Sequence, residues 1–249
     1  MTTNQWVIPF YQKQFEWLQD IEDEMTGYMQ KEADTIEEQI GVKFKSMLDI
    51  GAGIGSIART LDARGIAMTT LELVPELVEA AKRRSSKTID IHLGDFYTHE
   101  FAKQFDVVSY FDGFGIGSDD DQLTLLKRMK NWVTDDGTII IDIYNPNYWR
   151  NIAAGKAMKI DVAERIYSFD EVGCRMVDSW WHKEKPDEIV TQSLRCYTID
   201  EISTMCNKAG LTIIGIFPGG AMDFDNGAYV ETATLSTCLS YRIKLKKNL

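Results

Sequence analysis

Three glycines at alternate positions, Gly51, Gly53 and Gly55, stand in the run Met47-Leu48-Asp49-Ile50-Gly51-Ala52-Gly53-Ile54-Gly55. Glycine lets the backbone approach a ligand closely and adopt dihedrals that other residues avoid. Where such a turn joins a strand to a helix, free N–H groups face a carboxylate or phosphate. Glu72, with Leu73 beside it, ends the next apolar run. An acid at that place can accept hydrogen bonds from both hydroxyls of a ribose. Gly94-Asp95-Phe96 follows a third run. Asp95 can accept from an adenine amino group, and Phe96 can pack on the ring. The glycine spacing is not the G-x-G-x-x-G of a dinucleotide site. It is D-x-G-x-G-x-G, with Asp49 two residues ahead of the first glycine.

These residues need strands that end beside one another. Short apolar runs over 46–50, 67–71, 89–93, 105–111 and 138–144 read as strands. Amphipathic stretches over 54–63, from Pro75 onward and over 119–132 read as helices between them, with Asp135-Asp136-Gly137 as a closing turn. Strand–helix alternation implies a parallel sheet covered on both faces. Residues 4–40 read as two helices broken near Gly27, with Trp6, Phe10, Phe15, Trp17, Leu18, Ile21 and Met25 at roughly helical spacing. Stretches 158–168, 172–183 and 188–197 read as an antiparallel meander, turning at Asp170-Glu171 and at Lys185-Pro186-Asp187. A helix over 200–209 stops at Gly210. A strand over 211–217, a loop over 218–228 and a last strand over 236–245 follow. Arg242 and Lys244 alternate in that last strand, as on an exposed edge.

The ordered elements Asp49-Ile50-Gly51-Ala52-Gly53, Glu72, Gly94-Asp95-Phe96, Phe105-Asp106-Val107-Val108 and Asp136-Gly137-Thr138 resemble a class I S-adenosylmethionine-dependent methyltransferase of the small-molecule branch. Arg195-Cys196-Tyr197-Thr198-Ile199-Asp200-Glu201 and Ala209-Gly210-Leu211 extend the likeness toward the C-terminus. The resemblance implies an α/β fold. A Rossmann-like, doubly wound, mostly parallel seven-stranded sheet would carry an antiparallel last strand. One methyltransferase domain would span 1–249, with a helical cap over 1–41, the core over 42–144 and 199–249, and a β lid inserted over 145–198. It implies S-adenosyl-L-methionine as cofactor, with Asp49, Gly51, Ala52, Gly53 and Gly55 around the methionine end. Glu72 and Leu73 would serve the ribose, and Asp95 and Phe96 the adenine. Phe111, Asp112 and Gly113 would sit beside the sulfonium, and Asn145-Pro146 would edge the acceptor pocket. Asp112-Gly113-Phe114-Gly115 is not an Asn-Pro-Pro-Tyr type of tetrad, which disfavours an amino-nucleobase acceptor.

A general base is needed only where the nucleophile must lose a proton. The candidates are His182, Tyr11, Tyr144 and Asp112. His182 ends Trp180-Trp181-His182, and histidine titrates near neutral pH. Tyr11 is the N-terminal aromatic expected to reach over the cofactor, while Trp6, Phe10, Phe15 and Trp17 read as packing residues. Asp119-Asp120-Asp121 reads as an acidic helix start, and no metal is expected. The aromatic content of cap and lid permits an aromatic or cationic amine acceptor. An NAD-dependent oxidoreductase and a non-catalytic S-adenosylmethionine-binding protein are the other readings.

The remaining expectations come from bulk properties. The chain has 249 residues, 44% hydrophobic and 26% charged, enough for a substantial core. Its net charge of −11 repels nucleic acid, so a small-molecule partner is expected. Nine acids and one base, Lys31, fall between Glu16 and Glu38. Cys174, Cys196, Cys206 and Cys238 show no paired spacing. Together with a start lacking a basic-then-apolar segment, that reads as a cytoplasmic protein away from membranes.

Overall fold

The computed structural model describes residues 5–24, 26–160 and 162–248, with the side chains of 19–24 and 26 left aside. Met25 and the Ile21 side chain, expected on the helical face, therefore lie outside the described part. Seven strands form the main sheet: β1 (Ser46–Ile50), β2 (Ala67–Glu72), β3 (Asp90–Leu93), β4 (Phe105–Tyr110), β5 (Val133–Tyr144), β10 (Leu211–Pro218) and β13 (Ser240–Lys247). Their order is β10-β13-β5-β4-β1-β2-β3. Only β13 runs against its neighbours. This is the expected Rossmann-like α/β sheet with an antiparallel last strand.

Side chains alternate across the sheet. Leu48, Val108, Ile139 and Ile141 pack with Leu125, Leu126 and Met129 of helix α5 (Asp119–Trp132) and Ile202 and Cys206 of α7 (Ile199–Ala209). Met47, Val107 and Ile140 face the other way, onto α2 (Thr26–Ile40) and α3 (Ser56–Asp62). Helices α5 and α7 start on capping boxes, Ser118 with Asp121 and Thr198 with Glu201, so the acidic run at Asp119 serves the helix start. Helix α1 (Val7–Glu24) packs elsewhere: Phe10 and Trp17 are buried against Ala163 and Trp180 of a separate four-stranded sheet. The N-terminal stretch thus divides, α2 covering the main sheet and α1 lying beneath the inserted one.

That inserted sheet runs β6 (Ala157–Ile160), β7 (Ala163–Asp170), β8 (Arg175–His182), β9 (Lys185–Arg195). Three strands were expected. The first stretch instead folds back on itself, pairing Ile160 with Ala163. The second turn falls at 183–184, with His182 opposite Lys185, and not at 185–187. Pro186 is accommodated because β9 is an edge strand, where one side needs no N–H donor.

Three other expectations change. Asp135-Asp136-Gly137 is not a turn between helix and strand. Val133 pairs beside Phe105 and Thr138 beside Val107, so the intervening residues bulge out of one continuous β5. The loop at 218–228 contains a hairpin, β11 (Ala221–Asp223) with β12 (Ala228–Val230). The last strand is interior, between β10 and β5, not an edge. Its basic residues stay there because α2 and β5 supply their partners. Arg242 donates from Nε to Asp142 Oδ1 at 2.7 Å and from Nη2 to Glu32 Oε1 at 2.8 Å; Lys244 Nζ donates to the Ile40 carbonyl at 2.7 Å. Among the described residues no helix is long and apolar enough to cross a membrane.

Arg242 is 10% exposed at its side chain and ties three elements together. Arg242→Met strands two carboxylates in a poorly hydrated place. It is expected to lower unfolding stability by about 3 kcal/mol, read from the urea midpoint, with part of the loss recovered when Asp142→Asn is added.

Candidate functional site

The strands β1, β2, β3 and β4 all end on one rim, and the turns leaving them line a cavity of about 440 Å³. After β1, Gly51 and Gly53 have φ of 64° and 57°. A Cβ on Gly51 would lie 2.8 Å from the Tyr110 ring, so side-chain packing and dihedral both demand glycine. A Cβ on Gly53 would meet only Leu77 Cδ2, at 3.9 Å, so the space before this residue is open.

Glu72 holds the turn in place. Its Oε2 accepts the Gly53 N–H at 2.9 Å, and its Oε1 accepts the N–H groups of Leu73 and Val74 at 2.8 and 2.9 Å. Burial pushes the carboxyl above its ordinary range, while the three N–H donors pull it back. A carboxylate has about four acceptor positions. Glu72 therefore keeps roughly one for a ligand, where the sequence suggested acceptance from both hydroxyls of a ribose. After β3, Asp95 Oδ1 accepts the Tyr97 N–H at 2.8 Å, an Asx turn that fixes its carboxylate at the wall. Phe96 packs on Tyr110, ring centroids 5.4 Å apart.

After β4 stands Asp112, at φ 51°, a left-handed conformation that aspartate tolerates better than most residues. The residue is exposed to the cavity, and the protein packed behind it pushes its carboxyl above the ordinary carboxylate range. The bond from Tyr144 Oη to Oδ1 opposes the shift, Asp142 and Asp178 add to it, and Arg165 opposes it. Tyr11 reaches over the cavity from α1 and donates to Gln192 Oε1 at 3.4 Å. Gln192 Nε2 in turn donates to the fully buried Asp178, which also takes the Trp180 indole N–H at 2.8 Å and pairs with Arg165. Burial holds the phenols of Tyr11 and Tyr144 far above their usual range, helped by the charge of Asp112. At neutral pH both are hydrogen-bond donors and not bases.

The sequence-selected residues thus divide. Gly51, Gly53, Glu72, Leu73, Asp95, Phe96, Phe111, Asp112 and Tyr11 line the one cavity. Tyr144 stands behind Asp112. Asp49 lies beneath the turn, 4% exposed, accepting from Ser109 Oγ at 2.7 Å. Ala52 is off the lining, and Gly55 (φ 75°) starts α3. His182 is remote from the lining: its ring lies 6.3 Å from Trp17 and its Nδ1 accepts the Glu184 N–H. Asn145 is spent on the chain near 235–238, donating to the carbonyls of Leu235 and Cys238 at 2.8 and 3.0 Å. Tyr97 and Tyr110 also line the cavity and were overlooked in the sequence, although each adjoins a selected residue. Gln192 and Asp178 had no local signal at all. Among the described residues, no three His, Cys, Asp or Glu side chains are gathered as a metal would require.

Residues 47–137 match the family model described as a methyltransferase domain. No curated protein matches the chain. Among solved structures, the chain is similar to the CcbJ methyltransferase from Streptomyces caelestis: TM-score 0.71, 15% identity, covering 89% of this chain and 90% of that one. It is similar to an S-adenosylmethionine-dependent methyltransferase from Clostridium acetobutylicum: TM-score 0.71, 13% identity, covering 96% and 99%. It also resembles CalS10, an amino pentose methyltransferase from Micromonospora echinaspora solved with S-adenosylmethionine bound: TM-score 0.59, 17% identity, covering 89% and 91%.

Burial pushes the Asp49 carboxyl up to about 7, with the Ser109 bond opposing. The folded state therefore holds a proton that the unfolded chain releases near pH 4. This contribution to stability is present below about pH 4 and is lost as the pH rises through about 7. Asp49→Asn is expected to flatten that part of the profile, measured by urea unfolding at pH 5 and pH 7.5.

Proposed function

We propose that the protein, whose residues 47–137 match the methyltransferase-domain model, moves a methyl group from S-adenosylmethionine to a small-molecule acceptor. The observation that carries this reading is the single cavity in which the glycine turn, Glu72, Asp95-Phe96 and Asp112 meet. The open space before Gly53 suits the methionine end of the cofactor. The free acceptor position of Glu72 suits a ribose hydroxyl. Asp95, held by its Asx turn, suits the adenine edge, with Phe96 against the ring.

When bound, the cofactor supplies an electrophilic methyl carbon: the acceptor's lone pair forms the new bond as the carbon–sulfur bond breaks, and the pair leaves with sulfur as S-adenosylhomocysteine. The chain's own part is to position and to exclude water. Tyr11 and α1 cover the cavity. Phe111 and Asp112 stand at its transfer end, and Tyr144 orients the Asp112 carboxylate. Asp112 offers negative charge to an acceptor atom that becomes positive, and it takes a proton where the acceptor must lose one.

The whole chain, 1–249, acts as one domain in this reading, with the lid over 145–198 closing the cavity. Amine and sugar acceptors are supported by the neighbours, which include an amino pentose methyltransferase and a sugar N-methyltransferase. A net charge of −11 argues against a nucleic-acid acceptor. Four free cysteines suit the reducing cytoplasm.

Calorimetry should show S-adenosylmethionine binding to the wild type. Glu72→Ala should weaken it by about 1–3 kcal/mol through lost hydrogen bonds. Absence of binding by the folded wild type would falsify the assignment. Asp112→Asn keeps the left-handed turn and loses the charge. It is expected to lower kcat about tenfold or more in an assay reading S-adenosylhomocysteine.

A further inference from the structure

A second cavity, of about 470 Å³, opens on the α2 side of the sheet. Its walls are Tyr28 and Glu32 of α2, Asp142 of β5, Arg242 of β13, and Tyr229 with Glu231 of the β11–β12 hairpin and the chain after it. It shares one lining residue with the first cavity, Asp112. The partition beside Asp112 is the Phe111 ring, with the Arg242 guanidinium stacked 4.6 Å from its centroid.

The charge of this second cavity is negative. Glu32, Asp112, Asp142 and Glu231 face two cations, Lys31 and Arg242. Both cations are taken. Lys31 pairs with Glu231 across the mouth, and Arg242 is divided between Asp142 and Glu32. Two carboxylate charges are left without a cation. An anionic ligand is repelled here and an ammonium is attracted. Tyr28 and Tyr229 line the cavity and leave half their surface exposed, at 50% and 53%, and aromatic rings favour a cation or an apolar ring.

The space behind Asp112 on the lid side is filled instead. Tyr144, Trp149 and Tyr167 pack edge to face with centroids 5.4 and 5.2 Å apart, and Arg165 and Gln192 both donate to Asp178. Among the described residues, these contacts fill the space on that side of Asp112.

We propose that the second cavity is the acceptor pocket, that it takes a small molecule bearing a basic amine, and that Asp112 marks the junction where the methyl group passes to the nitrogen. This rests on the methyltransferase reading above. The bound ammonium first gives a proton to Asp112 or to water, which frees its lone pair. The neutral amine then takes the methyl group and gains the positive charge that sulfur loses. The carboxylates meet that charge as it forms, which is where electrostatic stabilisation counts most. Arg242 is a positioning residue: it holds Glu32 and Asp142 at the wall and contributes no free charge.

The test uses full-length protein saturated with S-adenosylhomocysteine and titrated by calorimetry with glucosamine, putrescine and tyramine, each against its N-acetyl form. At least one free amine is expected to bind, and its acetylated form to bind about tenfold more weakly or not at all. Glu32→Gln and Tyr229→Ala should each weaken that amine about fivefold or more while S-adenosylhomocysteine affinity stays within about twofold. Unchanged S-adenosylhomocysteine affinity also certifies that the variants are folded. Amines and amides binding alike, no amine binding at all, or variants that leave amine affinity untouched would each overturn the proposal. Failure of S-adenosylhomocysteine itself to bind the wild type would strike the cofactor reading instead.

Discussion

Three backbone N–H groups converge on the Glu72 carboxylate, and the rest of the site is arranged around that convergence. The acid comes from the end of β2, and the donors come from the turn after β1 and from the start of α4 (Pro75–Arg84). One side chain thus ties two successive strand exits to a fixed separation. Charge-assisted bonds of this kind are about twice as strong as neutral ones. They also offset the cost of burying an acid that is only 8% exposed. A glycine turn with φ of 64° and 57° has little intrinsic preference for one shape. The carboxylate supplies the preference. The acid expected to wait for ribose is thus first a structural clamp, with one acceptor position left over.

Asp112 plays a comparable double part at the other end of the cavity. Its left-handed backbone turns the chain away from β4, so its side chain faces both cavities. Tyr144 holds the carboxylate from behind. Asp142 shares a face of β5 with Ile140, opposite Ile141 and Ile143, and Arg242 stands directly across the ladder. The strand period of two thus sorts acids and apolar residues of one strand between α2 and the α5 side. The same period makes Arg242 and Lys244 of β13 face α2 while Ile243 and Leu245 enter the core.

The elements that were easy to read were those set by short-range pattern. Strand β1 and helix α5 fall where periodicity placed them, because a strand's apolar run and a helix's Ser118–Asp121 cap are complete within a few residues. Errors collect where the decisive neighbour is distant. A basic, alternating strand looked like an exposed edge because its partners, Asp142 and Glu32, lie 100 and 210 positions away. Asp-Asp-Gly looked like a turn because the bulge that absorbs it is set by pairing with β4. His182 looked eligible for catalysis on residue type alone, and its place beside Trp17 follows from how α1 docks under the lid.

Residue type and spacing along the chain were enough to specify a glycine turn, the acid after β2, the acid–aromatic pair after β3 and the alternation that makes a doubly wound sheet. Each depends on backbone preferences and side-chain periods that act within a few residues, so each is written locally. Which of those side chains share a cavity, which are consumed as braces, and which carboxylates remain without a cation were decided only when the chain closed. Tyr11 meets Gln192 across 181 positions, and Arg242 gathers α2, β5 and β13. Contacts at such separations are selected by packing and by the need to pair buried charge, and no window of the sequence contains both members.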